Sequence, residues 1–364
     1  MIAAISGRAL AMAARRAGYR PLVADFFCDT DTVALAERTT KLPGNLQDGI
    51  DGERIIETLR DLVGEDQPVA VVLGSGFERM TETVDAVARH FPLAGNRGAA
   101  ISRIKDPQLL AADCAELGIP HPEFRWDRPP EPDSWVAKTV GGAGGGHIRQ
   151  AAGESQTTGR YFQRFVAGRS VSALFVGDGQ AARIVGFSQQ WTSPVSTAPY
   201  RYGGAVRLRR FDRRQAAVIG GWLSALTRRA GLVGLCSADL IRGSDGYKLI
   251  EINPRPGATL DIFDEADAPL IEAHLRAATG GTYRLPRFVD SMASMVTYAA
   301  TPIARFPSIA WPEWTADHQS PGTPLIAGDP VCTVFARGPN ADLTRRLIKG
   351  QARRLQLQWE GDRT

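Results

Sequence analysis

The feature that most constrains this chain is a pair of apolar segments, CSADLI (236–241) and YKLIEINPRPG (247–257), joined by only Arg242-Gly243-Ser244-Asp245-Gly246. So short a link between two strand-like runs makes an antiparallel hairpin. A hairpin centred on Asp245 sets Asp239 directly opposite Glu251, with their β-carbons ~5 Å apart. Asn253 shares that face because side chains alternate along a strand. Two carboxylates so close cannot both stay ionised cheaply unless a cation lies between them. Asp, Glu and an amide oxygen are hard ligands, which implies magnesium, or manganese in its place, completed by water and phosphate oxygens. The alternative, carboxylates on a solvated face with Asn253-Pro254 opening a turn, fits poorly with the flanking Leu and Ile residues, which make these strands half-buried.

The remainder of the chain is ordinary enough to exclude several classes. Its 364 residues are 43% hydrophobic and 23% charged, which rules out disorder and fibrous repeats and predicts two or three domains. Of 43 basic residues only Lys41, Lys105, Lys138, Lys248 and Lys349 are lysine. A position that keeps lysine is therefore a candidate for chemistry that needs a compact ammonium. A net charge of +4 gives no reason to expect a nucleic-acid partner. The one basic cluster, Arg345, Arg346, Lys349, Arg353 and Arg354, falls at helical spacing and reads as a solvated helix face. Four scattered cysteines without a CxxC pattern read as reduced residues. The first cation, Arg8, follows apolar residues, the reverse of a signal peptide. No apolar run approaches the ~20 residues that cross a bilayer, so the expectation is a cytoplasmic protein without a membrane partner.

The opening stretch reads strand, short loop, Ala-rich helix, Gly18 and second strand, a β-α-β unit. Its loop holds only Ser6-Gly7 where a dinucleotide-binding fold has three spaced glycines, which argues against an NAD enzyme. A helix at about 51–63, a strand at 68–73 ending in Gly74-Ser75-Gly76, a further helix and a strand at 91–94 complete an open parallel sheet. A single helix is expected over 101–117. Five prolines between 120 and 133 then mark a connector. Strand-like runs follow at 135–140, 159–166, 171–176 and 182–189, with a helix at about 213–231 before the hairpin. After Pro286 come two short strands and the Arg-rich helix.

Two further segments carry chemistry. In WVAKTVGGAGGGHI a strand bearing Lys138 leads into Gly141, Gly142, Gly144, Gly145 and Gly146, whose amides can approach an anion closely. It is not a Walker A loop, because the lysine precedes the glycines. Lys105, in SRIKDP, is the other suspect lysine. In YFQRFVAGRSVSALFV a strand ends at a polar hinge, Ala167-Gly168, that can offer backbone groups to a purine edge. No Ser-His-Asp or Cys-His arrangement stands out, and the five histidines lack metal-ligand spacing; His147, beside the glycines, reads as a solvated loop residue. Loops at 74–78 and 192–204 are expected to border the pocket.

Taken in order, these segments resemble the ATP-grasp superfamily over roughly residues 95–286, with EINPR and the preceding Asp the most specific part. The resemblance implies an α/β ATP-grasp fold in four parts: an N-terminal parallel α/β domain (1–98), a small lid subdomain (99–168), a mostly antiparallel metal-binding subdomain (169–285) and a C-terminal extension packed on the core (286–364). It implies that Lys105 and Lys138 contact the phosphates of ATP and that the glycine loop closes over the terminal phosphate. Gln163, Phe165 and Val166 would frame adenine. Asp239, Glu251 and Asn253 would bind two magnesium ions, and Arg255 would steady the transferred phosphoryl group. Ser170 stands where many members carry an acidic residue that holds the ribose. The implied reaction joins a small-molecule carboxylate to an amine through an acyl phosphate, releasing ADP and phosphate. PYRYGGAVRL and the Gly-Arg-Ser that ends the linker look similar to the tyramine–glutamate ligase subgroup of methanofuran and methylofuran biosynthesis and its relatives beside tetrahydromethanopterin-linked one-carbon genes. That points to glutamate with tyrosine or tyramine. The other readings are a carboxylase acting through carboxyphosphate and a non-catalytic nucleotide-binding regulator. A homodimer is the default assembly.

Overall fold

The computed structural model describes residues 1–154 and 158–360. The expected β-α-β opening is present: strand Ile2–Ala3, helix Arg8–Arg16 and strand Leu22–Asp25, with the helix burying Leu10, Ala11, Ala13 and Ala14 against the sheet. The sheet is parallel throughout, ordered Arg38–Lys41, Leu22–Asp25, Ile2–Ala3 and Val72–Leu73. The edge strand Arg38–Lys41 had no apolar run to announce it. The strand expected at 91–94 reduces to one parallel bridge, Val71 to Leu93. Where a dinucleotide fold would receive phosphate, the buried Asp25 carboxylate accepts from the amides of Gly7 (2.9 Å), Phe27 (3.1 Å) and Cys28 (2.7 Å). The protein's own anion thus takes up the amide nest beside this helix N-terminus.

The helix expected over 101–117 is two helices, Gly98–Lys105 and Pro107–Glu116. Pro107 disfavours helical geometry at Asp106. Asp106 turns the corner and caps the second helix through Gln108 and Leu109 N–H. Lys105 thereby becomes the last residue of the first helix. The proline-rich connector contributes one unexpected edge strand, Phe124–Arg125, to a small antiparallel sheet ordered Phe124–Arg125, Arg160–Arg164, Trp135–Thr139 and Arg149–Gln150.

An eight-stranded antiparallel sheet forms the body, ordered Gly246–Asn253, Val233–Gly243, Arg169–Asp178, Ala182–Thr192, Tyr202–Arg207, Ser291–Tyr298, Pro330–Gly338 and Thr315–Ala316. The segment after Pro286 therefore extends the same sheet, and the terminal helix Ala341–Glu360 packs against it through Ile348, Ala352, Leu355 and Trp359. Most of that helix's basic residues are exposed, as a solvated face requires; Arg345 instead lies over Trp191. Among the described residues, no helix is long and apolar enough to cross a membrane.

Asp239 pairs with Glu251, as the hairpin argument required, but the turn is one residue tighter than expected. Gly243 pairs with Gly246 across Ser244-Asp245, and the register slips between Asp239 and Leu240, where Ile250 is the extra residue. Beside the bulge, on the outer edge of the sheet, Leu249 N–H donates to Pro120 O (2.8 Å).

The parallel sheet and the large sheet are bridged by His274, which is 1% exposed. Its Nδ1 accepts from Leu235 N–H (2.8 Å), so Nε2 carries the proton donated to Ala94 O (2.9 Å). Burial pushes this ring down to about 4. Because the folded value lies below the unfolded one near 6.5, the contribution is complete above pH 6.5 and lost as pH falls toward 4, amounting to about 3 kcal/mol. Acid unfolding should therefore steepen across that window in the parent and flatten in His274→Gln, whose amide can also accept and donate. Identical pH profiles of melting temperature would contradict this.

Candidate active site

The hairpin face, the end of helix Gly98–Lys105 and the small sheet converge on one cleft, which Lys105, Gly141, Gly142, Gln163 and Glu251 help to line. Lys105 Nζ donates to Asn253 Oδ1 (3.1 Å) and lies 3.8 Å from Glu251 Oε2. Lys138, on strand Trp135–Thr139 and 2% exposed, lies 3.9 Å from the same Glu251 oxygen. Asn253 Nδ2 reaches both carboxylates, Asp239 Oδ2 at 3.1 Å and Glu251 Oε1 at 3.4 Å. Its N–H thus sits where a cation between the two carboxylates would.

The electrostatics follow from this crowding. Burial and the charge of Glu251 raise the Asp239 carboxyl above its ordinary value. Burial would raise Glu251 too, but Lys105, Lys138 and His147 bring it below the usual range. Burial disfavours the Lys138 ammonium, yet Tyr161 and Glu251 raise it overall. Two carboxylates and an amide oxygen on one half-buried face are a hard donor set of the kind that suits magnesium.

Lys138 Nζ also donates to Gln163 Oε1 (3.2 Å). That fixes the Gln163 amide, whose nitrogen then faces His121 Nε2 (3.5 Å) and Ile250 O (3.4 Å). Gln163 lies in the cleft, whereas Phe165 is 45% exposed and neither it nor Val166 lines it. Both belong to the link between the two antiparallel sheets. Phe165 N–H donates to Ser134 O (2.8 Å), and Gly168 passes so near Arg242 O that a β-carbon there would sit 2.3 Å from it. Ser170 Oγ donates to Gln190 Oε1 (3.3 Å), and Gln190 Nε2 donates to Asp239 Oδ1 (3.2 Å).

The glycine loop is folded down. Tyr202 N–H donates to Gly144 O (3.0 Å), the stem of Arg79 crosses Gly141, and Gly146 follows at the turn before Arg149. Gly141 and Gly142 thereby form part of the wall of the cleft. His147 is not the solvated residue expected from sequence. It is half-buried against Gly142, and burial pushes it down to about 4. Gly145 has φ +72, and a β-carbon there would lie 2.0 Å from Tyr200 O. Gly145→Ala should therefore release the loop from 200–202, read as faster hydrogen exchange over 141–147; unchanged exchange would contradict the docking.

Sequence reasoning missed His121, Gln190 and Glu78. Each is a single polar residue on a strand or loop, without spacing to mark it. Only Glu78 had a signal, since the loop at 74–78 was expected at the pocket. It contacts Arg255, whose Nε donates to Glu78 Oε1 (2.6 Å).

Residues 108–259 match the family model of the ATP-grasp domain. Solved structures share the fold over nearly the whole chain. Biotin carboxylase from Campylobacter jejuni in its β-γ-ATP complex aligns with a TM-score of 0.71 at 13% identity, covering 95% of this chain and 89% of that one. L-amino acid ligase from Bacillus licheniformis aligns with a TM-score of 0.69 at 12% identity, covering 96% and 95%. N5-carboxyaminoimidazole ribonucleotide synthetase in its ADP complex aligns with a TM-score of 0.69 at 14% identity, covering 96% and 94%. The chain has the ATP-grasp fold, with a parallel sheet at its N-terminus and antiparallel sheets in the rest.

Proposed function

We propose that this protein of ATP-grasp fold is an ADP-forming ligase that joins a small-molecule carboxylate to an amine through an acyl phosphate. The observation that carries the reading is the cluster of Asp239, Glu251 and Asn253 with Lys105 and Lys138, whose Lys105 and Glu251 line a cleft beside a glycine loop. In phosphoryl transfer a protein mainly positions groups and neutralises charge. That is what two buried lysines and a carboxylate pair offer. Asp239, Glu251 and Asn253 would hold magnesium, which when bound supplies charge neutralisation to the phosphates.

In this reading Lys105 and Lys138 bind the phosphates of ATP, and the amides of Gly141 to Gly146 cover the terminal one. Gln163 closes the base side of the cleft, and Ser170 with Gln190 borders the ribose. A substrate carboxylate oxygen attacks the terminal phosphorus beside Arg255, ADP leaves, and an amine displaces phosphate from the acyl carbon, losing its proton to complete the amide. The closed loop excludes water, which would hydrolyse the acyl phosphate. The finer substrate reading is glutamate as the carboxylate with tyrosine or tyramine as the amine, in a methylofuran-type pathway, and a cytoplasmic homodimer is the proposed form.

The test is ADP release from magnesium ATP across paired carboxylates and amines, glutamate with tyrosine or tyramine included. Release that requires one complete pair supports the ligase. Strict dependence on bicarbonate instead would mark a carboxylase, and tight ATP binding without substrate-stimulated turnover would mark a regulator.

A further inference from the structure

Glu78 belongs to none of the nucleotide-binding segments. It sits on the loop after strand Val72–Leu73, in the parallel domain, and is 6% exposed. Oε2 accepts from Gly76 N–H (2.7 Å), which fixes the carboxylate to its own loop. Oε1 takes Arg255 Nε from the far side of the domain boundary. Burial would raise this carboxyl, yet the charges of Arg255 and Lys105 lower it. Glu78 is therefore an ionised group paired with Arg255. Lys105 in turn neighbours Glu251, and Glu251 neighbours Lys138. The site thus holds two sets of paired charges, Arg255 with Glu78 and Glu251 with Lys105 and Lys138.

A buried ion pair is weak evidence for stability, because desolvation offsets most of the attraction. Its geometry explains more. Arg255 has Nε on Glu78 and Nη1 near Pro256 O (3.4 Å), so Nη2 is the end of the fork with no hydrogen-bond partner among the described residues. An arginine held by Nε presents a fixed edge.

We propose that Glu78 is a positioning residue for phosphoryl transfer, holding Arg255 by Nε so that its free edge faces the transferred group. This rests on the ligase reading. The parallel domain then takes part in catalysis without touching a reacting atom.

The experiment measures kcat and KM for ATP and the carboxylate in the parent, Glu78→Gln, Glu78→Asp, Arg255→Met and the Glu78→Gln/Arg255→Met double variant, with melting temperatures and their rise on adding magnesium ATP. Glu78→Gln should lower kcat about 100-fold. KM for ATP should stay within about threefold, since ground-state binding is not what Glu78 sets. Glu78→Asp, which keeps the charge, should recover part of the loss. In the Arg255→Met background the Glu78→Gln step should change kcat by less than about twofold, because the residue through which it acts is gone. Equal losses in both backgrounds, or parental kcat in a folded Glu78→Gln, would overturn the assignment. A parent that binds ATP but turns over no pair would instead overturn the ligase reading, and this assignment with it.

Discussion

Glu251→Gln is expected to stay folded, though with a lowered melting temperature, while ADP release falls by about 1,000-fold. The substitution removes one charge and almost no volume. That charge is the common point of the site: Lys105 and Lys138 lie within 4 Å of one Glu251 oxygen, and Asn253 Nδ2 leans on the other. With an amide there, both lysines lose their nearest countercharge and the donor set loses a carboxylate. Asp239 cannot compensate, since it faces Glu251 across the hairpin and is itself raised by burial. ADP formation at the parental rate in a folded variant would remove Glu251 from the metal set.

Lys138→Arg should fail although it preserves charge, with kcat/KM down about 100-fold. Lys138 is 2% exposed, and its ammonium is matched to Gln163 Oε1, Tyr161 and Glu251. A guanidinium is larger and brings five donors to a site that offers three acceptors, so it displaces Gln163 or stays partly unsatisfied. Because Gln163 also faces His121 and Ile250 O, the disturbance should spread to the base side and raise KM for ATP as well. Activity and nucleotide affinity at parental levels would show that the lysine's shape is incidental.

What could be read in advance was what periodicity and spacing encode. The hairpin was legible because its apolar residues alternate around Asp239 and Glu251; the Asp–Glu pairing, counted about a turn centred on Asp245, stands because the tighter turn and the Ile250 bulge offset one another. The tighter turn and the Ile250 bulge were not legible, since a one-residue offset leaves no mark in the apolar pattern. The break at Asp106-Pro107 was in plain view, yet the apolar pattern ran through it; the proline's local restriction outweighed the periodicity. Lys105 and Lys138 stood out only because the chain otherwise uses arginine. His121, Gln190 and Glu78 did not, because each gains its role from an element remote in sequence. His147 was misread for the same reason: nothing local shows that the loop folds back onto 200–202.

The most direct measurement follows the oxygen atoms. Once ADP release identifies a complete pair, the carboxylate substrate is labelled with oxygen-18 and the released phosphate is analysed by mass. An acyl phosphate requires one labelled oxygen to pass from carboxylate to phosphate in each turnover, with the other kept in the amide. Phosphate carrying no label, while amide accumulates, would contradict the acyl phosphate and the ligase mechanism built on it.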